Sequence, residues 1–161
     1  MNAVTVDLAA AKDLPACAKI IVDIYNNNIL KQGWTQKAAE RICKFYYHLQ
    51  PDLLFVAKRE NDVVGFTFGY VKPWADGNWL MVEEISINKN NRNGGTAIKL
   101  AETLLKTAIS KYKVTKVNGV TWEDEENMPY KLYKWLGFKR MDEFLVQFDA
   151  KKLLNKIERF V

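Results

Sequence analysis

The sequence predicts a mixed α/β fold: a sheet, partly antiparallel and partly parallel, flanked by helices. Three observations lead there. Several runs are rich in β-branched and aromatic residues, others carry apolar stripes at helical spacing, and the two kinds follow one another as β, α, α, β, β, β, α, β, α, β, closing on a helix.

A short strand from Ala3 to Leu8 opens the chain. Asp13 and Leu14-Pro15 begin a helix that carries Ile20, Ile21 and Ile24 on one stripe and stops at Asn26-Asn27-Asn28. Thr35 can cap a second helix bearing Ala38, Ala39, Ile42, Cys43 and Tyr46, which must close before Pro51. Leu53 to Lys58 and Val63 to Val71 read as strands joined by a hairpin turn at Glu60-Asn61-Asp62. A loop at Pro73-Trp74-Ala75-Asp76-Gly77 precedes a strand from Trp79 to Ile87. Ala97, Ala101, Leu104, Leu105, Ala108 and Ile109 form the stripe of a long amphipathic helix. Val114 to Trp122 is a further strand, Met128 to Leu136 a short helix ended by Gly137, Phe138 to Phe148 the last strand region, and Lys151 to Phe160 a terminal helix.

With 161 residues, 48% of them hydrophobic, the chain has the size and apolar content of one domain, with a core over 3–148 and a C-terminal helix at about 151–160. The net charge of +5 favours an anionic ligand without making a polybasic tail. No apolar run approaches the roughly 20 residues that span a bilayer, and the N-terminus lacks a secretory pattern, so no membrane association and a cytoplasmic location are expected. His48 is the only histidine, and Cys17 and Cys43 stand apart without metal-ligand spacing. A zinc site and a histidine-based triad are thereby excluded, and both cysteines read as small core residues.

The segment Ile85-Ser86-Ile87-Asn88-Lys89-Asn90-Asn91-Arg92-Asn93-Gly94-Gly95-Thr96-Ala97 runs from strand through a polar, glycine-bearing turn straight into a helix. The first turn of a helix has N–H groups without intrahelical acceptors and the positive end of the macrodipole, so a pyrophosphate docks well there. Glycine lets the backbone come close to such a ligand. Neither GxxxxGK[ST] nor GxGxxG fits these residues.

Arg92-Asn93-Gly94-Gly95-Thr96-Ala97 resembles the R/Q-x-x-G-x-G/A signature of the GNAT superfamily of N-acetyltransferases. Ile85 and Ile87 stand where that family has its two strand residues, Tyr133 to Phe138 matches its Y-x-x-x-G-F segment, and Asn127 lies six residues before the tyrosine. The resemblance covers nearly the whole chain, about Ala3 to Phe148. Lys89 and Asn93 depart from the family's usual proline and glycine, but neither removes a backbone donor. The segment from Trp34 through the Pro73 to Gly77 loop is similar to bacterial small-molecule or aminoglycoside-type members. The resemblance implies acetyl-CoA as cosubstrate in the cleft between the central parallel strands, and no metal. Ile85, Ser86, Ile87, Arg92, Asn93, Gly94, Gly95, Thr96, Ala97 and Asn127 would hold it. A small-molecule or peptide amine is the implied acceptor, and a homodimer would be in keeping with the family.

Acetyl transfer from a thioester needs a neutral amine, stabilisation of the oxyanion and a proton for the departing thiolate. The family attacks directly, which agrees with the absence of a Cys/His pair. Its matched tyrosine makes Tyr133 the implied general acid, with Tyr130, one turn earlier, as a substitute. Strand alternation puts Glu83 and Glu84 on opposite faces, so only one can enter a given cleft as base or amine anchor. The family's usual acidic residue before the first strand position favours Glu84. Glu123-Asp124-Glu125-Glu126 would complement the N-terminus of the short helix or give an acidic mouth suited to cationic amines, with Trp34, Trp74, Trp79 and Trp122 as candidate walls. Two other readings remain. A non-catalytic acyl-CoA-binding module would keep the ligand without turnover, and a nucleic-acid-binding domain would need a basic aromatic stripe that is not evident.

Overall fold

A computed structural model describes residues 3–27, 31–92, 95–121, 128–141 and 149–157. The described residues fall into two units, Met1–Val120 and Thr121–Val161.

The first unit contains β1 (Val4–Leu8), α1 (Leu14–Asn27), α2 (Gln36–Leu49), β2 (Leu54–Arg59), β3 (Asp62–Trp74), β4 (Gly77–Ile87), α3 (Thr96–Tyr112) and β5 (Val114–Gly119). Five strands lie in sequence order in one sheet; β1 to β4 are antiparallel, and β5 runs parallel to β4. The parallel step needs a crossover, which α3 supplies. Mixed sheet and flanking helices are as the sequence predicts. The Thr35 hydroxyl accepts from the Ala38 N–H at 3.2 Å and caps α2.

Period-two patterning gives the sheet two apolar faces, and both are covered. Val56, Phe66 and Phe68 pack under α1 and α2 with Cys17, Ile20, Ile21 and Cys43, while Tyr46 of α2 stacks on Phe68 at 4.3 Å. Phe55, Ala57, Leu80 and Ile87 pack under α3 with Leu100, Leu104 and Ala108. Both cysteines are buried, as expected of core residues, and burial pushes the Cys43 thiol up to about 12.

Several boundaries differ from the sequence reading. Pro73 and Trp74 belong to β3, opposite Asn78 and Gly77, so the turn is confined to Ala75-Asp76. Pro73 is tolerated because β2 pairs with β3 only as far as Phe68; beyond it, the Val71 N–H donates to the Gln50 side chain at 2.9 Å instead of to a strand. The buried stripe of α3 is Thr96, Leu100, Leu104 and Ala108, whereas Leu105 and Ile109, expected in it, are exposed. β5 ends at Gly119, short of the expected Trp122, which lies outside the described residues.

The second unit contains α4 (Met128–Trp135) and α5 (Ala150–Ile157). Gly137, at φ +85°, ends α4 as expected. The Phe138 N–H donates to the Tyr133 carbonyl at 3.0 Å and the Gly137 N–H to that of Lys134 at 3.1 Å, the paired bonds of a Schellman cap. Of the expected last strand, residues 138–141 are not strand and 142–148 lie outside the described residues, as do 158–160 of the terminal helix. Among the described residues, no helix is long and apolar enough to cross a membrane.

One irregularity positions everything below. Phe68 pairs with Glu84, but Gly69 pairs with Val82, so β4 has one extra residue, Glu83, and bulges there. Gly69 sits opposite, where an added Cβ would come within 3.0 Å of the Met81 carbonyl oxygen and of the Leu80 side chain. Gly69→Ala is expected to cost about 1–3 kcal/mol through this overpacking, read by urea denaturation; an unchanged midpoint would contradict the close approach.

Candidate active site

Alternation resumes on either side of the bulge. Ser86 and Glu84 face α1 and α2, opposite Phe66 and Phe68, whereas Ile87 joins the core under α3. Glu84 is 8% exposed. The Tyr25 hydroxyl of α1 donates to its Oε2 at 3.0 Å and lies 3.3 Å from Oε1, which also accepts from the Ser86 hydroxyl. On the other face, buried Thr67 donates to the Glu84 carbonyl at 2.8 Å and fixes the backbone. Burial raises the Glu84 carboxyl to about 7; the bonds from Ser86 and Tyr25 oppose the rise, and the neighbouring Glu83 charge adds to it.

The expectation that Glu83 and Glu84 face opposite sides is wrong, because the extra residue interrupts the alternation. Burial and then the nearby Glu83 charge raise the Tyr70 hydroxyl, and Tyr70 packs on the α1–α2 cluster. The buried Tyr46 hydroxyl is raised by burial, then by the charges of Glu84 and Glu83 together. Both carboxylates therefore serve one side of the sheet, Glu84 inside and Glu83 exposed. Trp34 lies beside Tyr25 with ring centroids 6.3 Å apart, and its backbone is pinned to Asn26 by bonds of 2.7 and 2.8 Å. Trp74 and Trp79 do not join this wall. They pack on each other at the β3–β4 turn, five residues or more along β4 from Glu84, with Lys72 and Lys116 over their rings.

Sequence reasoning missed Tyr25. Its signal was available: it stands one helical turn after Ile21, which is buried under the same face.

The bulge coincides with an opening. The described β4–β5 pairing ends at Val82–Gly119, while β4 runs on to Ile87. Past Ile87, the Asn88 side chain accepts from the Asn90 N–H at 3.1 Å in a short helical turn, and Arg92 Nε donates to the Ile87 carbonyl at 3.3 Å. Gly95 precedes α3 at φ +70°, a left-handed conformation that favours glycine, and an added Cβ there would meet nothing within 4 Å. Thr96 is buried and Ala97 half-buried at the start of α3. The chain thus enters the helix N-terminus through a left-handed glycine, a start that suits a pyrophosphate. Asn93, Gly94 and Asn127 lie outside the described residues, as do Glu123 to Glu126.

In the second unit Tyr133 is half-buried, its ring 5.0 Å from that of Phe138 in the apolar contact that accompanies the cap. Tyr130 is half-buried too, with Lys134 Nζ 5.4 Å from its ring centre.

The model of the acetyltransferase (GNAT) family matches residues 14–138. Similar solved structures include a transcriptional regulator from Bacillus halodurans C-125, 17% identical, covering 91% of this chain and 100% of that one with a TM-score of 0.72. The ribosomal-protein-alanine N-acetyltransferase of Brucella melitensis biovar Abortus 2308 is 18% identical over 91% and 100%, with a TM-score of 0.68. Aminoglycoside N-acetyltransferase AAC(6')-Iy, solved with CoA, is 15% identical over 93% and 97%, with a TM-score of 0.71. At these identities the likeness is one of fold. No curated protein matches the sequence significantly.

The raised Glu84 carboxyl has a measurable consequence. Its ordinary value is 4.5, so between 4.5 and about 7 the folded chain binds more protons than the unfolded one. Stability from this group is therefore lost as pH rises through that window, by on the order of 3 kcal/mol in full. Glu84→Gln removes the loss, so its stability relative to wild type should grow between pH 5 and pH 8 in urea titrations. A gap that stays constant would show an ordinary carboxyl.

Proposed function

The chain belongs to the acetyltransferase (GNAT) family, and on that premise we propose that it transfers acetyl from acetyl-CoA to a primary amine, with Glu84 as the base. The observation that carries this reading is the desolvated carboxylate of Glu84 in the stretch of β4 beyond its last described pair with β5. A base poised near neutral pH suits the removal of a proton from an ammonium group. Tyr25 and Ser86 occupy both Glu84 oxygens, which orients the carboxylate and keeps its ionised form accessible.

Acetyl-CoA would lie with its pyrophosphate on the turn from Arg92 to Ala97. The backbone of Ile85, Ser86 and Ile87, beyond the last β5 pair, can offer strand-like bonds to the pantetheine arm. The solved relative with bound CoA supports a fold able to take this ligand. The acceptor is a small-molecule or peptide amine.

The proton balance assigns each group one task. The acceptor ammonium gives one proton to Glu84. Its neutral nitrogen then attacks the thioester carbonyl, so a C–N bond forms and the C–S bond breaks. Tyr133 protonates the departing thiolate, its phenol O–H being a proton donor. The second nitrogen proton restores Tyr133, and Glu84 returns its proton to water. Support for Tyr133 comes from its place in the Y-x-x-x-G-F segment.

A thiol-release assay with acetyl-CoA across polyamines, aminoglycosides, amino acids and peptide N-termini tests the reading. Free CoA should appear with at least one amine; binding of acetyl-CoA with no release across the panel would leave a non-catalytic module. With a good acceptor, kcat/KM should rise with pH through about 7 as Glu84 ionises, and Glu84→Gln should lose this inflection. Tyr133→Phe should lower kcat by roughly 10²- to 10⁴-fold; unchanged turnover would remove it from the mechanism.

A further inference from the structure

The proposed chemistry gives Glu84 a task and leaves Glu83 without one. A bulge that puts two adjacent carboxylates on one face brings like charges together, which is unfavourable unless something cationic meets them. One ammonium group does not suffice. Once the acceptor has passed its proton to Glu84, the reacting nitrogen and Glu84 are both neutral, and Glu83 still carries its charge.

Resting on the reading of Glu84 as base, we propose that Glu83 selects acceptors with a second positive charge, a diamine or longer polycationic amine in preference to a monoamine. Glu83 is exposed and so reachable by a ligand, and its charge acts on the Tyr70 hydroxyl, on the same face of the sheet. The surrounding surface suits an alkylammonium chain. Tyr70 and the Tyr25–Trp34 pair are partly buried aromatic residues on the same side of the sheet, giving apolar contact for methylenes and ring faces for a cation. The second charge is still present in the transition state, when the first has gone, so its contact with Glu83 holds the acceptor throughout the reaction.

The test compares 1,4-diaminobutane with n-pentylamine, in which a methyl group replaces the second ammonium. With acetyl-CoA and wild-type protein, kcat/KM for the diamine should exceed that for the monoamine at least tenfold, mainly through KM. Glu83→Gln should lower the diamine's kcat/KM far more than the monoamine's, bringing the ratio close to one. Equal use of the two amines by wild type, or an undiminished ratio in Glu83→Gln, would overturn the role of Glu83 and leave acetyl transfer standing. If neither amine is acetylated, calorimetric titration of the same amines into the CoA-loaded protein decides the inference. Diamine binding at least tenfold tighter, with the difference lost in Glu83→Gln, supports it; equal binding overturns it.

Discussion

The single extra residue in β4 is the constraint on which the site depends. Without it, strict alternation would send Glu83 toward α3 and leave one carboxylate facing α1 and α2. With it, Glu83 and Glu84 share a face, and the same point along the strand is where pairing with β5 ends. The last described β4–β5 pair and a pair of carboxylates of unlike exposure thus meet at one register shift. Gly69, across from the bulge, lets β3 follow β4 closely there.

The core on either side carries the energetic cost of this arrangement. A desolvated carboxyl is unfavourable, and two hydroxyl donors offset only part of the penalty, since the Glu84 carboxyl stays raised to about 7. The remainder is met by burial around it: Phe66 and Phe68 under α1 and α2, and Leu80, Leu100 and Leu104 on the opposite face, all nearly or fully inaccessible. A shift toward neutral pH is what a proton acceptor requires, so in the proposed role of Glu84 stability is given up where the chemistry would use it.

Much of the frame was legible in the sequence because its signals are local. The Thr35 cap, Gly137 at the end of α4 and the glycine before α3 depend on backbone conformations that a few neighbouring residues dictate. The run Val82-Glu83-Glu84-Ile85-Ser86-Ile87 gave no hint of a bulge, since a register shift exists only in the pairing with β3. Tyr25 and Glu84 are 59 residues apart, so their bond is a product of topology. Pro73-Trp74 looked like loop because proline punctuates strands, and it persists in β3 only because that edge has no β2 neighbour beyond Phe68. Leu105 and Ile109 fit a helical stripe as well as Leu100 does, and periodicity alone could not say which arc faces the sheet.

The most direct measurement is a carbon-13 NMR titration of the Glu84 side-chain carboxyl in the folded protein, assigned by comparison with Glu84→Gln. The account expects a midpoint near 7, from a buried carboxyl bonded to Tyr25 and Ser86. A midpoint at the ordinary value of 4.5 would contradict it, for Glu84 would then be a solvated surface group with no poised proton acceptor at the bulge.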